Sequence, residues 1–438
     1  MARKPINAEV PAAQSKPTSA ERSKAPPPKR QRQRKPIPAA LKGIAALVIV
    51  AVVFILAAIL GGRGGEQESS TTPAPTPVAT ENAGESDASH TAEQLGYPAF
   101  ATNNTTRIGS SDAASNAAAV ALAVYPSTVD TLRPDAVTFV DGESWHATVA
   151  AAVLMAKPLG APLLVSGPSG SPETTSQALD VLDPQGSKRT RGAQAFAIGP
   201  AEVPGGLKAT RVGGESPADT AAEIATLRDR LLGGPPAHIV IAPASDPGFA
   251  VPAAAWAARS GDPVLFAERE ALPEATATIL QGHPDVPVYV LGPSTAISSQ
   301  VVREIAKIGG QVHRVSGEDP VTNAIAFARY ADGGFGWNIN DPGHGLVVAR
   351  ADAPLDAAVA APLSGSGTWG PLLLSDSAAT LPAALRDYML DIKPGYSDDP
   401  TRAFYNHVWV IGDEEAIGVN QQAEIDELAE VAAVRGEP

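Results

Sequence analysis

The chain has no cysteine, which excludes disulfides and thiolate metal sites. That absence does not decide a compartment, because an exported protein need carry no disulfide. Aromatic residues make up only 5% of the 438 residues, so the core has to be built from Ala, Val, Leu and Ile. Compact signatures of catalysis are missing as well. There is no Walker A loop, no His-Glu-x-x-His pair and no Gly-x-Ser-x-Gly elbow. Gly365-Ser366-Gly367-Thr368-Trp369-Gly370 has the spacing of a dinucleotide loop but precedes a strand instead of joining strand to helix. Ser144-Trp145-His146 are adjacent, and neighbours in sequence do not make a catalytic triad. The 7 His residues are scattered, against a zinc hydrolase. The chain reads as a non-enzyme.

Long apolar runs are absent with one exception. Ile44–Leu60 is 17 residues without a charge, about 25 Å as a helix, the short end of a membrane span. Lys42 and Arg63 flank it and can snorkel. The run Lys29-Arg30-Gln31-Arg32-Gln33-Arg34-Lys35 precedes it, so the positive-inside bias keeps the N-terminus in the cytoplasm and exports the rest. A cleaved signal peptide fits less well, since its leading segment would be too long and no clean Ala-x-Ala site follows. A buried core helix is disfavoured by the charged flanks.

Charge is split to match. Residues 1–42 carry 11 Lys/Arg against Glu9 and Glu21, net +9, whereas 64–438 carry 21 Lys/Arg against 45 carboxylates, net −24. The basic segment is expected to be disordered, with a topogenic role or a resting place on anionic lipid. The acidic remainder is a poor partner for nucleic acid, which demands a cationic surface. The Ser/Thr/Pro-rich stretch around Ser69–Pro77 reads as an extended linker. The expected location is the cell membrane, single-pass, with the C-terminal part extracellular.

That exported part repeats itself. Thr106-Arg107-Ile108-Gly109, Thr210-Arg211-Val212-Gly213 and His313-Arg314-Val315-Ser316-Gly317 recur at spacings of 104 and 103 residues. Each opens an Ala-rich helical stretch, an apolar strand, a second Ala-rich helix and a Gly-x-Pro-[Leu/Val]-Leu block, shortened to Gly370-Pro371-Leu372-Leu373 in the third. The units close on Ile198-Gly199-Pro200, Leu291-Gly292-Pro293 and Ile411-Gly412-Asp413. Short continuous apolar strands alternating with helices predict an α/β fold with a parallel sheet covered on both faces. A repeat of this length is a small domain and not a solenoid turn. Three copies favour multivalent binding over one catalytic centre. The expected organisation is a basic tail (1–42), a transmembrane anchor (43–61), a linker (62–100) and units at 101–207, 208–311 and 312–438.

With these blocks in this order, the chain resembles the type 2 cell-wall-binding repeat family of Gram-positive surface proteins over about residues 105–415. The resemblance implies three tandem Rossmann-like units in a pseudo-threefold arrangement. It also implies non-covalent attachment to a cell-wall polysaccharide or anionic wall polymer. The family's Asp-Arg-Tyr-x-Thr stretch after the opening is altered in every unit. Thr220 is kept, and Asn116 and Asn323 stand in its place elsewhere.

Arg107, Arg211 and Arg314 are the recurrent cations. They are read either as polymer contacts near the threefold axis or as structural arginines bonded to backbone. Asp141, Glu143, Asp246 and Asp352 follow central strands, where open parallel sheets bind ligands, and Asp356 joins them because Leu355-Asp356-Ala357-Ala358 resembles the family's Phe-x-Asp-Ala-Leu block. They are candidate contacts for sugar hydroxyls or Ca²⁺, with helix capping as the other reading. Asp141 and Glu143 alone fall short of an oxygen cage, so no metal site or cofactor is assigned and Ca²⁺ enters only as a bridge. Trp145 is either a sugar-stacking platform or a packed aromatic. The third unit is longer, and Gly333–Asn338 and Pro394–Pro400 read as inserted loops with exposed aromatics. The function expected is a membrane-anchored protein tethering membrane to wall. The alternative is an envelope scaffold that binds another surface protein through its acidic faces.

Overall fold

The computed structural model describes residues 100–434. The basic tail, the apolar run Ile44–Leu60 and nearly all of the linker lie outside them. Among the described residues no helix is long and apolar enough to cross a membrane.

The apolar runs become short strands, seven of them buried at every position. β1 (Phe100–Ala101) and β2 (Thr105–Ile108) come first. β3 (Val137–Val140), β4 (Leu163–Val165), β5 (Ala195–Ile198) and β6 (Ala209–Val212) follow. They form one parallel sheet in the order β4-β3-β5-β6. β7 (Ile239–Pro243), β8 (Val264–Ala267), β9 (Val288–Leu291) and β10 (Val312–Val315) form a second, in the order β10-β9-β7-β8. β11 (Gly345–Arg350), β12 (Leu372–Ser375), β13 (Gly395–Tyr396), β14 (His407–Ile411) and β15 (Ala432–Ala433) complete the set. β13 pairs only with β15. The third sheet runs β1-β2-β14-β11-β12, parallel except for the β1–β2 hairpin.

Each opening strand thus lies in the sheet of the unit before it. β6 pairs with β5 and β10 with β9. β2, the first of the three opening strands, pairs with β14 of the last unit. Helices repeat the same cyclic pattern. Trp145–Ala151 packs on Pro217–Leu232, Pro247–Ala250 on Pro320–Arg329, and Pro354–Val359 on Ala113–Val124. Three units therefore close into a ring.

Its centre explains the abundance of alanine. The 3-10 turn Ala152–Met155 and the helices Pro252–Ser260 and Ala361–Gly365 pack against one another, and Ala152, Ala254 and Ala361 are among their fully buried residues. Methyl side chains let three backbones approach where larger ones would hold them apart. The second Ala-rich helix of the first unit breaks into a helix to Ala151 and a 3-10 turn, and that of the third is split at Ala360. Pro362 sits in the first turn of the second piece, where its missing N–H costs nothing.

The altered family position has a repeated role. Asn116 Oδ1, Thr220 Oγ1 and Asn323 Oδ1 accept the backbone N–H of Ser110, Gly214 and Gly317, at 3.1, 3.1 and 3.0 Å. Each ties the turn after an opening strand to the first helix of its unit. An amide oxygen reaches as well as a hydroxyl, so Asn replaces Thr without changing the fold.

Candidate functional site

The residues that follow the central strands are dispersed over three seams between units and do not converge. Asp141 accepts the Glu143 N–H at 3.2 Å and opens the turn that Ser144 ends by capping helix Trp145–Ala151. Glu143 is exposed. Trp145 stacks on His146 at 3.6 Å and meets Phe266 of the second unit edge-on at 5.8 Å, so it is a packed aromatic. His146 Nε2 lies 2.7 Å from the Ala244 carbonyl across the same seam, and burial holds its imidazole below its ordinary value, as a neutral donor. Asp246 is half-buried at the start of Pro247–Ala250 without capping it, and burial raises its carboxyl. Asp352 is exposed and paired with Arg350 at 2.9 and 2.6 Å. Among the described residues no group of three or more carboxylate or imidazole side chains is placed to hold a metal ion.

Asp356 sits at the seam between the third and first units and accepts from Asn116 Nδ2 at 2.8 Å. Burial raises its carboxyl above the ordinary value; the Asn116 bond opposes this, and Asp112 and Asp413 add to it. The folded state therefore binds this proton more tightly than the unfolded chain. Its stability is greatest below the unfolded carboxylate value and falls as pH rises through the folded one. Asp356→Asn keeps an oxygen for Asn116 and removes the buried charge. The melting temperature at pH 7 is expected to rise by about 1–3 °C, with the gain vanishing below about pH 4. A variant that melts with the parent at both pH values would remove the buried-charge account.

The recurrent arginines differ although their motif is shared. Arg107 is 1% exposed. It donates to the carbonyls of Gly412 and Asp413 at 2.7 Å each, to Ile417 O at 2.6 Å and to Gln422 Oε1 at 2.8 Å. Burial pulls its guanidinium below the usual value against the pull of Glu414 and Asp413. Arg314 reaches Gly292 O and Ile297 O at 2.6 and 2.7 Å. Arg211 is exposed and reaches only Ala201 O, at 3.0 Å. Each arginine holds the turn that closes the strand beside it. Arg107 has no exposed surface to offer a polymer, which corrects the contact reading for that residue.

The insertions of the third unit also divide. Phe335 is 1% exposed and stacks on Tyr289 at 3.6 Å, and Trp337 packs against Trp256 at 5.3 Å. Expected exposed, this loop instead fills the space between the second and third units. The second insertion leads to a different surface. Phe404 is 71% and Tyr405 67% exposed. With His344, Thr368, His407 and Trp409 they line an open cleft of about 500 Å³ at the N-terminal ends of β11, β12 and β14.

This cleft is built with care for position. Asn406, beside the two aromatics, is buried; it accepts from the N–H of Gly343 and His344 at 2.9 and 3.1 Å and donates to Ile392 O at 2.9 Å. Gly343 has φ +107°, and a Cβ there would lie 3.0 Å from Phe404 Cβ, so glycine is required for the aromatic to sit where it does. His407 lies 3.1 Å from Thr106 Oγ1, and burial lowers its imidazole pKa despite Asp426. The lining has aromatic faces, imidazoles, a hydroxyl and backbone, but no carboxylate. The carboxylate pair of most glycoside hydrolases has no counterpart in this lining. Sequence reading missed it because His344, Thr368 and Phe404 come from separate segments. The one local signal was the adjacent Phe-Tyr pair just before an apolar strand.

Residues 211–302 match the family model for Cell wall binding domain 2 (CWB2). The fold is similar to two solved structures, Cwp6 and Cwp8 from Clostridium difficile, with TM-scores of 0.60 and 0.57 and 19% identity to each. Each likeness covers 75% of this chain but only 48% and 52% of those proteins, so the chain matches about half their length. No curated protein matches the chain. The matched domain is described as a binding domain and not as an enzyme.

Proposed function

We propose that this chain, whose residues 211–302 belong to the cell wall binding domain 2 family, is a membrane-tethered protein that holds a wall glycan or wall polymer without cleaving it. The observation that carries the reading is the cleft in the third unit. Two exposed aromatics, fixed by a buried Asn, stand beside polar groups in an open groove with no carboxylate in its lining. Apolar faces with a few placed polar groups are the general form of a binding site, and a sugar ring supplies the matching C–H face and hydroxyl edge. The tether rests on Ile44–Leu60 and its basic flank. The partition into three units at 101–207, 208–311 and 312–438 belongs to the same reading.

The test is sedimentation of the full chain, in mild detergent, with purified wall before and after stripping of covalently linked polymers, with and without Ca²⁺. Retention lost on stripping supports a wall-polymer ligand. Phe404→Ala and Tyr405→Ala are each expected to weaken retention about tenfold, as for exposed aromatic anchors. No retention in any arm would sink the reading. The scaffold alternative, favoured by the shallow acidic surface with Glu215, Asp219 and Glu223, would then take its place.

A further inference from the structure

We propose that Trp369, Lys157 and Arg259 form a subsite for an acidic sugar, a ring bearing a phosphate or carboxylate, at the point where all three units meet. The proposal rests on the wall-binding reading and names the part of the ligand that this point would recognise.

Each unit contributes one residue. Lys157 follows the axial segment of the first unit, Arg259 lies at the end of helix Pro252–Ser260 of the second, and Trp369 follows helix Ala361–Gly365 of the third. Lys157 Nζ is 4.9 Å and Arg259 Cζ 5.1 Å from the Trp369 ring centroid. Both cations are exposed, and Trp369 is 40% exposed.

Two cations without a carboxylate partner meet on one aromatic ring at this spot. Carboxylates outnumber cations about two to one in the acidic part of the chain. Arg133, Arg228, Arg329, Arg350 and Arg386 all have a carboxylate partner. Among the described residues Lys157 and Arg259 have none, and both lean on an aromatic face instead. Cation–π contact leaves N–H donors free for an anion. This is the local cationic cluster that a net acidic protein needs to hold an acidic polymer.

Backbone geometry points the same way. Trp369 has φ +63°, left-handed backbone that a bulky side chain rarely adopts. It is held there by the Gly365–Gly370 loop: Gly367 has φ +109°, and the N–H of Thr368 and Trp369 both reach Leu363 O, at 3.0 and 3.4 Å. Such conformations gather at binding sites, where the surroundings impose them. The spot also joins two clefts. Gly367 and Thr368 line the one with Phe404 and Tyr405. Lys157 lines another, of about 460 Å³, with Tyr125 and with Arg133 and Arg189, which are paired there with Asp130 and Asp135. A chain of sugars, and not a single small molecule, fits a path of this kind.

The experiment uses the same full-chain sedimentation. Lys157→Gln/Arg259→Gln is expected to weaken retention at least tenfold and to flatten its dependence on salt; Phe404→Ala is expected to weaken it with the salt dependence intact. Trp369→Gly separates binding from structure. Glycine takes φ +63° without strain, so the melting temperature should hold or rise while retention falls; a merely structural tryptophan would lower both. Walls stripped of phosphate with hydrofluoric acid, and walls with reduced carboxyls, tell which anion is read. Parent-like retention and salt dependence in the double variant, with the parent chain bound, would overturn this subsite and leave the wall-binding reading standing. No retention of the parent chain would overturn that reading, and the subsite with it.

Discussion

Arg107→Ala is expected to destabilise the protein by roughly 3–5 kcal/mol, at roughly 1–3 kcal/mol for each buried carbonyl left unpaired. The side chain is almost wholly enclosed, and it ties three carbonyls and Gln422 of the last unit to a strand near the start of the described chain. Gln422 also donates to Thr105 Oγ1 at 2.8 Å, and Asp426 accepts from Thr102 Oγ1 and, at 2.8 Å, from the Asn104 N–H. Loss of the guanidinium therefore loosens the whole clasp between β2 and the C-terminal helix Val419–Ala429. The matched change Arg211→Ala removes one exposed bond at 3.0 Å, and its cost should stay within about 1 kcal/mol. Arg314→Ala, with two carbonyls at stake, should fall between. Denaturant unfolding of the three variants gives the order directly. Equal losses at Arg107 and Arg211 would mean that the motif acts the same way in every unit and that closure has no special weight.

Gly365→Ala is expected to destabilise the protein from its centre. A Cβ at Gly365 would lie 2.5 Å from the Ala258 carbonyl and 3.1 Å from Met155 Cγ. The first neighbour is backbone and cannot swing aside. One methyl thus pushes against the first and second units from the third, and overpacking of this kind costs about 1–3 kcal/mol. Because the strain falls on the axis, a single broadened thermal transition is expected, with all three units weakened together. A sharp parent-like transition in calorimetry would show that the axial helices have room to shift.

Much of the fold could be read from residues alone. The apolar runs Leu163–Val165 and Ala195–Ile198 form β4 and β5, because β-branched and apolar runs bounded by Gly and Pro leave little choice. The Ala-rich stretch after the first opening motif is a helix from Ala113 to Val124, with Asp112 as its cap. What escaped is what depends on pairing between distant segments. Nothing local says whether an opening strand joins the sheet before it or the one after it. Nor does a shared Thr-Arg-x-Gly pattern say that Arg107 is enclosed while Arg211 is open to water, since the enclosing residues lie some three hundred positions away. The candidate site was less legible still. The residues after the central strands drew attention by rule, yet they lie at seams; Phe404, Tyr405 and Trp369 owe their exposure to neighbours contributed by other segments.

Pairing of β2 with β14 also sets an order of assembly. The second sheet is made wholly from residues 239–315 and the first from 137–212, so each can form while later residues are still being delivered. The third cannot. Its contacts join residues 315 apart, and although closing so long a loop costs only about 2 kcal/mol more than closing one a tenth as long, it has to wait for the far partner. Until then β2 is an open strand edge, prone to pairing with the wrong neighbour. A chain cut short before residue 407 therefore lacks β14 and leaves that edge of β2 without its partner.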